Sequence, residues 1–211
     1  MLAIRATSLG RAMSDRAAAR VVIEQLYAAH HAEIYSYLCR MLRDDELAAD
    51  LTQETFVKAF RAFDTLANHA RARAWLYQIA GRKALDELRR RRIVRFVPWT
   101  GESRGSGASA EEAALHGRLS AEMERALAAI PPRQRQALLL AEVQELTGLE
   151  LAQALGVSHV AARALLSRAR ESLRQALAVE HARSAVAEAG RLGAGAAVPL
   201  LDDDVGHEGE R

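Results

Sequence analysis

The stretch Thr147–Arg170 reads TGLELAQALGVSHVAARALLSRAR and contains two helical patterns separated only by Gly-Val-Ser. Thr147 and Glu150 match the Thr-x-x-Glu capping box that begins a helix. Gly156 suits the left-handed backbone position that ends a helix, and Ser158 is a favourable N-cap for the next one. The stretch therefore predicts a helix-turn-helix.

Each helix of this motif has a predicted apolar side. In the first helix, Leu149, Ala152 and Leu155 are expected to face inward. In the second helix the inward stripe comprises Ala162, Leu166, Ala169, Leu173 and Leu177. A recognition helix reads base edges from its first turns while its arginines hold phosphates, so the outward face there is a candidate DNA surface. Its residues are Val160, Arg163, Ala164, Ser167 and Arg168. The alternative is an ordinary helical hairpin with a solvated basic face.

Composition predicts an all-α protein, and the charges are unevenly distributed. Half of the 211 residues are hydrophobic, 5% are aromatic and the net charge is +2. No alternating runs typical of strands occur. Residues 71–95 contain nine basic and two acidic residues, whereas residues 44–54 contain five acidic residues and no basic one. This separation suits a nucleic-acid face and a distinct protein-binding face.

Several classes of protein are disfavoured by the sequence. The single cysteine, Cys39, rules out a disulfide within the chain and fits a reducing cytosol. No apolar stretch has the length of a membrane span. His30, His31, Glu33 and Cys39 lack the second convergent cluster that a four-ligand metal site normally needs. With no Gly-rich phosphate loop and no catalytic constellation, we expect no cofactor and no enzymatic activity.

The chain divides into five segments. Residues 1–21 are expected to be a disordered extension, with Met13 favoured as the true start over a transit peptide. Residues 22–92 and 119–180 are expected to form two small helical domains. The Gly/Ser-rich residues 93–118 read as a flexible linker, and residues 181–211 as a disordered tail. One hypothesis, based only on opposite charge, is that acidic residues 202–204 of this tail fold back on the basic residues 89–92; the favoured alternative is an inert tail.

The first domain has a predicted core and two polar faces. Phe56, Ala59, Phe60 and Phe63 recur at helical spacing and are expected in the core, as are Trp75, Ile79 and Leu85. Along the opposite side of the first pattern lie Asp50, Gln53, Glu54, Val57, Lys58 and Arg61, which by themselves read as a solvated face. Arg82, Lys83, Arg89 and Arg90 can lie along a nucleic-acid backbone, although residues 89–92 could equally be a solvated helix end.

Three blocks together resemble bacterial RNA polymerase sigma factors of the extracytoplasmic-function (ECF) group. They are DLTQETFVKAFRAFDTL, then AWLYQIA with DELRRRR, and IPPRQRQALLLAEVQELTGLELAQALGVSHVAARALLSRARESL. The resemblance covers roughly residues 22–178, with the blocks in the expected order. It implies that residues 22–92 are sigma region 2 and residues 119–180 are sigma region 4, with the helix-turn-helix. The implied role is recognition of the −35 and −10 promoter elements and help in promoter melting, while the polymerase does the chemistry in the cytoplasm.

The resemblance also implies which residues meet each partner. On core polymerase the contacts would be with the β′ clamp helices and the β flap, and the candidate residues for core binding are Asp50, Gln53, Glu54, Lys58 and Arg61. Those for the −10 element are Asn68, His69, Arg71, Arg73, Arg82, Lys83, Asp86, Arg89 and Arg90. Those for the −35 element are Ser158, His159, Val160, Arg163, Ala164, Ser167 and Arg168. An anti-sigma factor is a further partner that the resemblance allows for, and no membrane insertion is expected.

Three positions depart from the usual pattern of the family. Arg82 stands where an asparagine that captures a flipped base is common, and Ala72 stands where an aromatic residue is common. Ala164 and Leu165 replace a polar-basic pair in the recognition helix, so the −35 contacts are expected to depend more on thymine methyl groups. The competing class is a helix-turn-helix regulator that binds duplex DNA without polymerase, but it leaves the acidic face and the Arg-rich helix of the first domain unexplained.

Overall fold

The structure, a computed structural model, describes residues 2–66, 68–94 and 119–194. Its α-helices are α1 (Leu2–Leu42), α2 (Asp45–Arg61), α3 (Ala72–Val94), α4 (Ala121–Ala129), α5 (Pro132–Leu138), α6 (Gly148–Leu155) and α7 (His159–Ala194). Short 3-10 turns cover Phe63–Thr65 and His69–Arg71, and a π-helical turn covers Leu139–Val143. These described residues contain no β-strand, which confirms the all-α prediction.

The helix-turn-helix forms as its local signals predict. The Glu150 carboxylate accepts hydrogen bonds from the backbone N–H of Thr147 (2.9 Å) and from its hydroxyl (2.7 Å). These bonds hold the pKa of Glu150 below its usual range. Gly156 ends α6 with a φ of 66°, and the Ser158 hydroxyl accepts from the N–H of Ala161 at the beginning of α7. Short-range hydrogen bonds therefore fix the break between the two helices.

The inward faces of this motif agree with the pattern in all but one position. Ala162 and Ala169 are fully buried, and the leucines of the same stripe are half-buried. Leu149, predicted to face inward, is 69% exposed and is a correction. It lies in the first turn of α6, beyond the edge of the core, and Leu151 takes the buried position instead.

Helices α1–α3 pack around a core of aromatic and aliphatic side chains. Phe56, Ala59 and Trp75 are buried as expected, whereas Phe60 is 40% exposed. The buried face of α2 includes Thr52 and Thr55 in place of Phe60. Their hydroxyls donate to the carbonyls of the preceding turn, at 2.7 and 2.6 Å, so these polar side chains are buried at little cost. The spacing of phenylalanines alone therefore placed the core face of α2 slightly wrongly.

Both ends of the described chain are more helical than expected. Helix α1 begins at Leu2, so residues 2–21 are helical where disorder was expected, in keeping with their alanine-rich composition. Helix α7 continues to Ala194, which extends regular structure into residues 181–194. Its buried Glu180 pairs with Arg125 of α4 at 2.7 Å and stabilises this extension. The acidic residues 202–204 and most of the predicted linker lie outside the described residues.

The two helical groups, α1–α3 and α4–α7, pack directly on one another. Helix α3 lies against α6, and one continuous cluster of buried side chains runs through both groups. Tyr77 of α3 donates a hydrogen bond to the Gln144 side chain at 2.6 Å. Arg135 of α5 donates to the carbonyl of Met41 in α1 at 2.8 Å. The sequence predicted two domains, but not that they would be in contact.

Candidate polymerase and promoter interfaces

The candidate polymerase face occupies the solvent side of α2. All five predicted core-binding residues are exposed: Asp50, Gln53, Glu54, Lys58 and Arg61. Val57 and Phe60 on the same helix are exposed too, at 48% and 40%. An exposed stripe of mixed charge with an apolar centre is typical of a protein-binding surface rather than of a merely solvated helix.

The segment before α3 carries the first candidate −10 residues. Asn68 is exposed, and its side-chain oxygen accepts a hydrogen bond from the N–H of Ala70 at 2.9 Å. Its carbonyl accepts from the N–H of Arg71 at 3.0 Å, which closes a tight turn. His69 lies within this 3-10 turn, and Arg71 is exposed. The turn therefore presents polar groups at the beginning of α3.

Arg73 is partly buried, and its guanidinium is held by contacts within the chain. Its guanidinium forms an ion pair with Glu33 of α1 at 2.9 Å and donates to the carbonyl of Gln144 at 2.9 Å. Burial raises the pKa of Glu33, but the hydrogen bonds and charge of Arg73, with His30, outweigh it and hold the pKa below the usual range. To bind DNA as predicted, Arg73 would have to exchange these contacts within the chain for contacts with the nucleic acid.

Most of the other cations of α3 are also paired with carboxylates. Lys83 pairs with Glu54, which joins the candidate −10 surface to the candidate polymerase face. The remaining pairs are Arg89–Asp86, Arg90–Glu87, Arg91–Glu87 and Arg91–Asp44, all between 2.7 and 3.0 Å. The hydrogen bond from Arg90 helps to hold the pKa of Glu87 below its usual range. These acids partly neutralise the basic helix.

Arg82 is the exception among the candidate −10 residues of α3. It is exposed and forms no ion pair within the described part of the chain. Its guanidinium lies beside the turn between α6 and α7, where a Cβ built on Gly156 would be 3.5 Å from Nη2. Arg82 therefore lies next to the turn that precedes the recognition helix.

The candidate −35 surface is the outward face at the beginning of α7. All seven predicted residues are exposed: Ser158, His159, Val160, Arg163, Ala164, Ser167 and Arg168. Val160 is 78% exposed and adds an apolar side chain to this surface. Across the described residues, neither Arg163 nor Arg168 forms an ion pair. This surface is open and positively charged.

The sequence did not identify the polar residues between the two helical groups. Arg135, Gln136 and Gln144 are buried in the structure, and each contacts α1 or α3. No local pattern marks a polar side chain whose partner lies far along the chain. Gly81, in the middle of α3, was the one available signal, because glycine within a helix often marks a close approach of another element.

Two further observations concern metal sites and membranes. Among the described residues, no group of three or more His, Cys, Asp or Glu side chains is arranged to hold a metal ion. His30 instead contacts Glu33, and His31 stacks on Tyr27 with the ring centroids 4.9 Å apart. Burial raises the pKa of the Cys39 thiol to about 12. None of the described helices combines the length and apolar character needed to cross a bilayer.

Comparison with known proteins identifies both helical groups. The sigma-70 region 2 family matches residues 26–93, and the sigma-70 region 4 family matches residues 120–173. The chain is 31% identical over 156 residues to the RNA polymerase sigma factor YlaC of Bacillus subtilis, covering 72% of this chain and 90% of that protein. It is 30% identical over 165 residues to the ECF RNA polymerase sigma factor SigE of Mycolicibacterium smegmatis, covering 77% of this chain and 64% of that protein.

A solved structure shares the fold. It is the sigma factor RpoE in complex with the anti-sigma factor NepR from Bartonella quintana, with a TM-score of 0.59 and 23% identity over 74% of this chain and 96% of that one. The region 2 match overlaps α1–α3, and the region 4 match overlaps α4–α7. The chain belongs to the extracytoplasmic-function group of the sigma-70 family of RNA polymerase sigma factors.

Proposed function

We propose that this sigma factor uses three separate surfaces to direct core RNA polymerase to its promoters. The α2 face docks on the polymerase, α3 with the preceding turn engages the −10 element, and the beginning of α7 reads the −35 element. The observation that carries the proposal is the fully exposed recognition face of α7, held by a capped turn and accompanied by a second exposed face on α2.

The α2 face is suited to the β′ clamp helices. Its acidic residues Asp50 and Glu54 precede exposed Val57, and its basic residues lie on either side of exposed Phe60. A partner helix can therefore bury the apolar centre while the separated charges set its register. The β flap is the expected contact of the α4–α7 group. Both contacts leave the outward face of α7 accessible to DNA.

For α3 to contact the −10 element, its cations must leave the carboxylates of this chain with which they are paired. Lys83, Arg89 and Arg90 can exchange carboxylate partners for phosphates, with release of the counterions condensed on the DNA. Arg82 is available to a base or phosphate without such an exchange. Because arginine is larger than the asparagine common in the family, its contacts will favour a −10 sequence different from that of most relatives.

The −35 contacts combine phosphate and base recognition. Arg163, Ser167 and Arg168 can reach phosphates and purine edges, while Val160 and Ala164 offer methyl groups for thymine. The chain itself supplies recognition and DNA opening, and the polymerase supplies catalysis. Since both partners, polymerase and promoter, are cytoplasmic in bacteria, the protein is expected to act there.

An anti-sigma factor is a proposed further partner. The related RpoE was solved in complex with one, the NepR protein. For this chain, such a partner would act by covering the α2 face or the recognition face of α7. Direct binding of a candidate protein to the purified chain, with loss of transcription, is the corresponding test.

Run-off transcription tests the proposal. Core polymerase is incubated with genomic promoter fragments, with and without the chain, and the transcript ends define the −10 and −35 elements. Gln53→Ala combined with Asp50→Ala should abolish transcripts and polymerase binding, whereas Glu24→Ala, an exposed acid on α1, should leave both unchanged. Absence of transcripts together with tight binding of the free chain to duplex DNA would favour the polymerase-independent regulator.

A further inference from the structure

The charges on the exposed face of α2 are divided between its two ends. The acidic residues Asp50 and Glu54 come first along the helix, and the basic residues Lys58 and Arg61 come last. The helix macrodipole favours this order and accounts for part of it. It does not account for Arg71, an exposed arginine that lies outside α2 and immediately before α3. The position of Arg71 relative to α2 therefore decides whether these cations form one surface.

Two ion pairs fix the register between α2 and α3. Arg91 of α3 pairs with Asp44, the N-cap of α2, at 2.7 Å, and Lys83 of α3 pairs with Glu54 of α2. From the first pair to the second, the residue number rises by ten in α2 and falls by eight in α3, so the two helices are antiparallel. Glu54 therefore lies on the edge of α2 that faces α3.

Lys58 and Arg61 continue this edge toward the beginning of α3. They follow Glu54 by four and seven residues, a spacing that keeps side chains on one side of a helix. At about 1.5 Å per residue, Arg61 lies about 10 Å beyond Glu54, level with the first two turns of α3. The connection between the helices is folded into short turns and ends with Arg71. Lys58, Arg61 and Arg71 thus form a row, which we call the basic edge.

The three cations of the basic edge have no internal partner. All three are exposed, and none forms an ion pair among the described residues. Asp64 is the one acidic residue between Arg61 and Arg71 in the sequence, and it pairs with neither. Most cations of α3, in contrast, are paired with carboxylates. A row of cations without such partners attracts the phosphates of a nucleic-acid backbone.

The basic edge lies between two parts of the candidate −10 surface. Arg71 belongs to the turn before α3, and Lys83 lies beside Glu54 at the other end of the row. A DNA strand that runs from this turn to Lys83 would pass Arg61 and Lys58 on the way. Its phosphates are the groups suited to long cationic side chains on a helix surface, because such contacts position the strand without reading its sequence.

We propose that Lys58 and Arg61 bind the phosphate backbone of the promoter strand held by the −10 surface, and not core polymerase. This assignment rests on the proposed function, in which α3 and the preceding turn engage that strand. It differs from the family resemblance, which placed both basic residues on polymerase. Polymerase then meets only the acidic end and the apolar centre of the α2 face: Asp50, Gln53, Glu54, Val57 and Phe60.

The first test separates the two partners. Lys58→Gln combined with Arg61→Gln replaces two exposed, unpaired side chains, so the fold and the affinity for core polymerase should be unchanged. The assembled holoenzyme should bind a forked DNA with a single-stranded −10 element and no −35 element about tenfold more weakly. The magnitude of the slope of log affinity against log salt concentration should fall by about 1.4, since each cation on a single strand contributes about 0.7.

Two control variants accompany this measurement. Arg163→Gln combined with Arg168→Gln removes two unpaired cations from α7 and should leave the slope on this forked DNA unchanged. Lys58→Arg combined with Arg61→Lys keeps both charges and should retain the wild-type slope. A loss of slope in this charge-preserving variant would show a structural role and contradict the proposal.

The second test locates the phosphates. Methylphosphonate linkages, which are uncharged, replace the phosphates of the single strand one at a time. The wild-type holoenzyme should lose affinity at one or two linkages where the Lys58→Gln, Arg61→Gln variant loses nothing further, because the contact is already absent. Equal losses in the two proteins at every linkage would overturn the proposal.

The remaining outcomes distinguish this proposal from the proposed function. Weaker binding of the double glutamine variant to core polymerase, with an unchanged salt slope, would place both residues on polymerase and overturn the proposal while the sigma function stands. Failure of the proposed function would appear in the wild type itself, as a holoenzyme that neither binds the forked DNA nor starts specific transcripts.

Discussion

The two candidate DNA-reading surfaces of this sigma factor differ in how their cations are held. On α7, Arg163 and Arg168 are exposed and form no ion pair within the described residues. On α3, most cations are paired with acids of the same chain, and Arg73 is bound between Glu33 and Gln144. The candidate −35 surface is therefore preorganised, whereas the candidate −10 surface would have to exchange ion-pair partners in order to bind DNA.

The difference fits the roles proposed for the two surfaces. Reading a duplex needs a rigid helix with its side chains already presented, and the capped turn before α7 provides that. Under the proposed function, α3 engages a melted −10 element as part of the holoenzyme, so cations that are neutralised in the free chain would reduce unproductive contacts with duplex DNA. Exposed ion pairs contribute only about 0–1 kcal/mol each, so their exchange for phosphates costs little.

The largest effect is expected from removing the free cations of α7. Arg163→Ala combined with Arg168→Ala should lower run-off transcription about 100-fold, because good base or phosphate contacts each contribute about 1–3 kcal/mol. Arg174→Ala, an exposed arginine farther along α7 that already pairs with Glu171, is the matched control and should change transcription little. Equal losses in both variants would contradict the open −35 surface.

The second effect concerns the turn that holds the −35 surface in place. Gly156→Ala should lower the free energy of unfolding by about 1–2 kcal/mol, because a side chain is strained at a φ of 66°. Chemical denaturation measures this loss, with Gln175→Ala on the exposed side of α7 as the control. If Gly156→Ala were as stable as the control, the positive φ of this turn would be wrong.

A smaller and pH-dependent effect is expected where α3 is tied to α1. The pKa of Glu33 in the folded chain lies below its ordinary value of 4.5. Its carboxylate therefore stabilises the fold fully above pH 4.5, and this stabilisation is lost as the pH falls through the folded pKa. Glu33→Gln lacks it at every pH.

Chemical denaturation of the wild type and of Glu33→Gln, at neutral pH and at acidic pH, provides the measurement. The wild type should exceed Glu33→Gln in stability at neutral pH, and the gap should shrink on acidification. A gap that stays constant with pH would show that the carboxylate charge does not hold Arg73. His30→Gln is a useful companion, since it tests the second contact of Glu33 without removing Arg73.

The smallest effect separates paired from free cations. Filter-binding assays give the affinity of the holoenzyme for promoter DNA at a series of salt concentrations. Arg163→Gln should reduce the magnitude of the slope of log affinity against log salt concentration by about 0.9. Lys83→Gln should lower it by less, because Glu54 already neutralises part of that charge and is left unpaired by the substitution. Identical slopes for the two variants would remove the distinction between the surfaces.

The sequence correctly predicted those features of the fold that are determined by residues close together along the chain. The capping box, the left-handed glycine and the stripe of α7 are local, so the helix-turn-helix and its exposed face could be read directly. The predictions that Phe60 and Leu149 face the core were wrong, because periodicity gives the apolar side of a helix but not its exact edge. The polar contacts between the two helical groups could not be predicted, since Arg135 and Gln144 are ordinary polar residues until α1 and α3 pack against them.

Cys39 has a consequence for how this protein can sense its surroundings. It is the only cysteine of the chain, and burial raises the pKa of its thiol to about 12. Peroxides and electrophiles react with the thiolate, which is almost absent from such a site at neutral pH. The one thiol of the chain is therefore poorly reactive, so a thiol-based oxidative signal would be expected to reach this transcription factor through a different molecule.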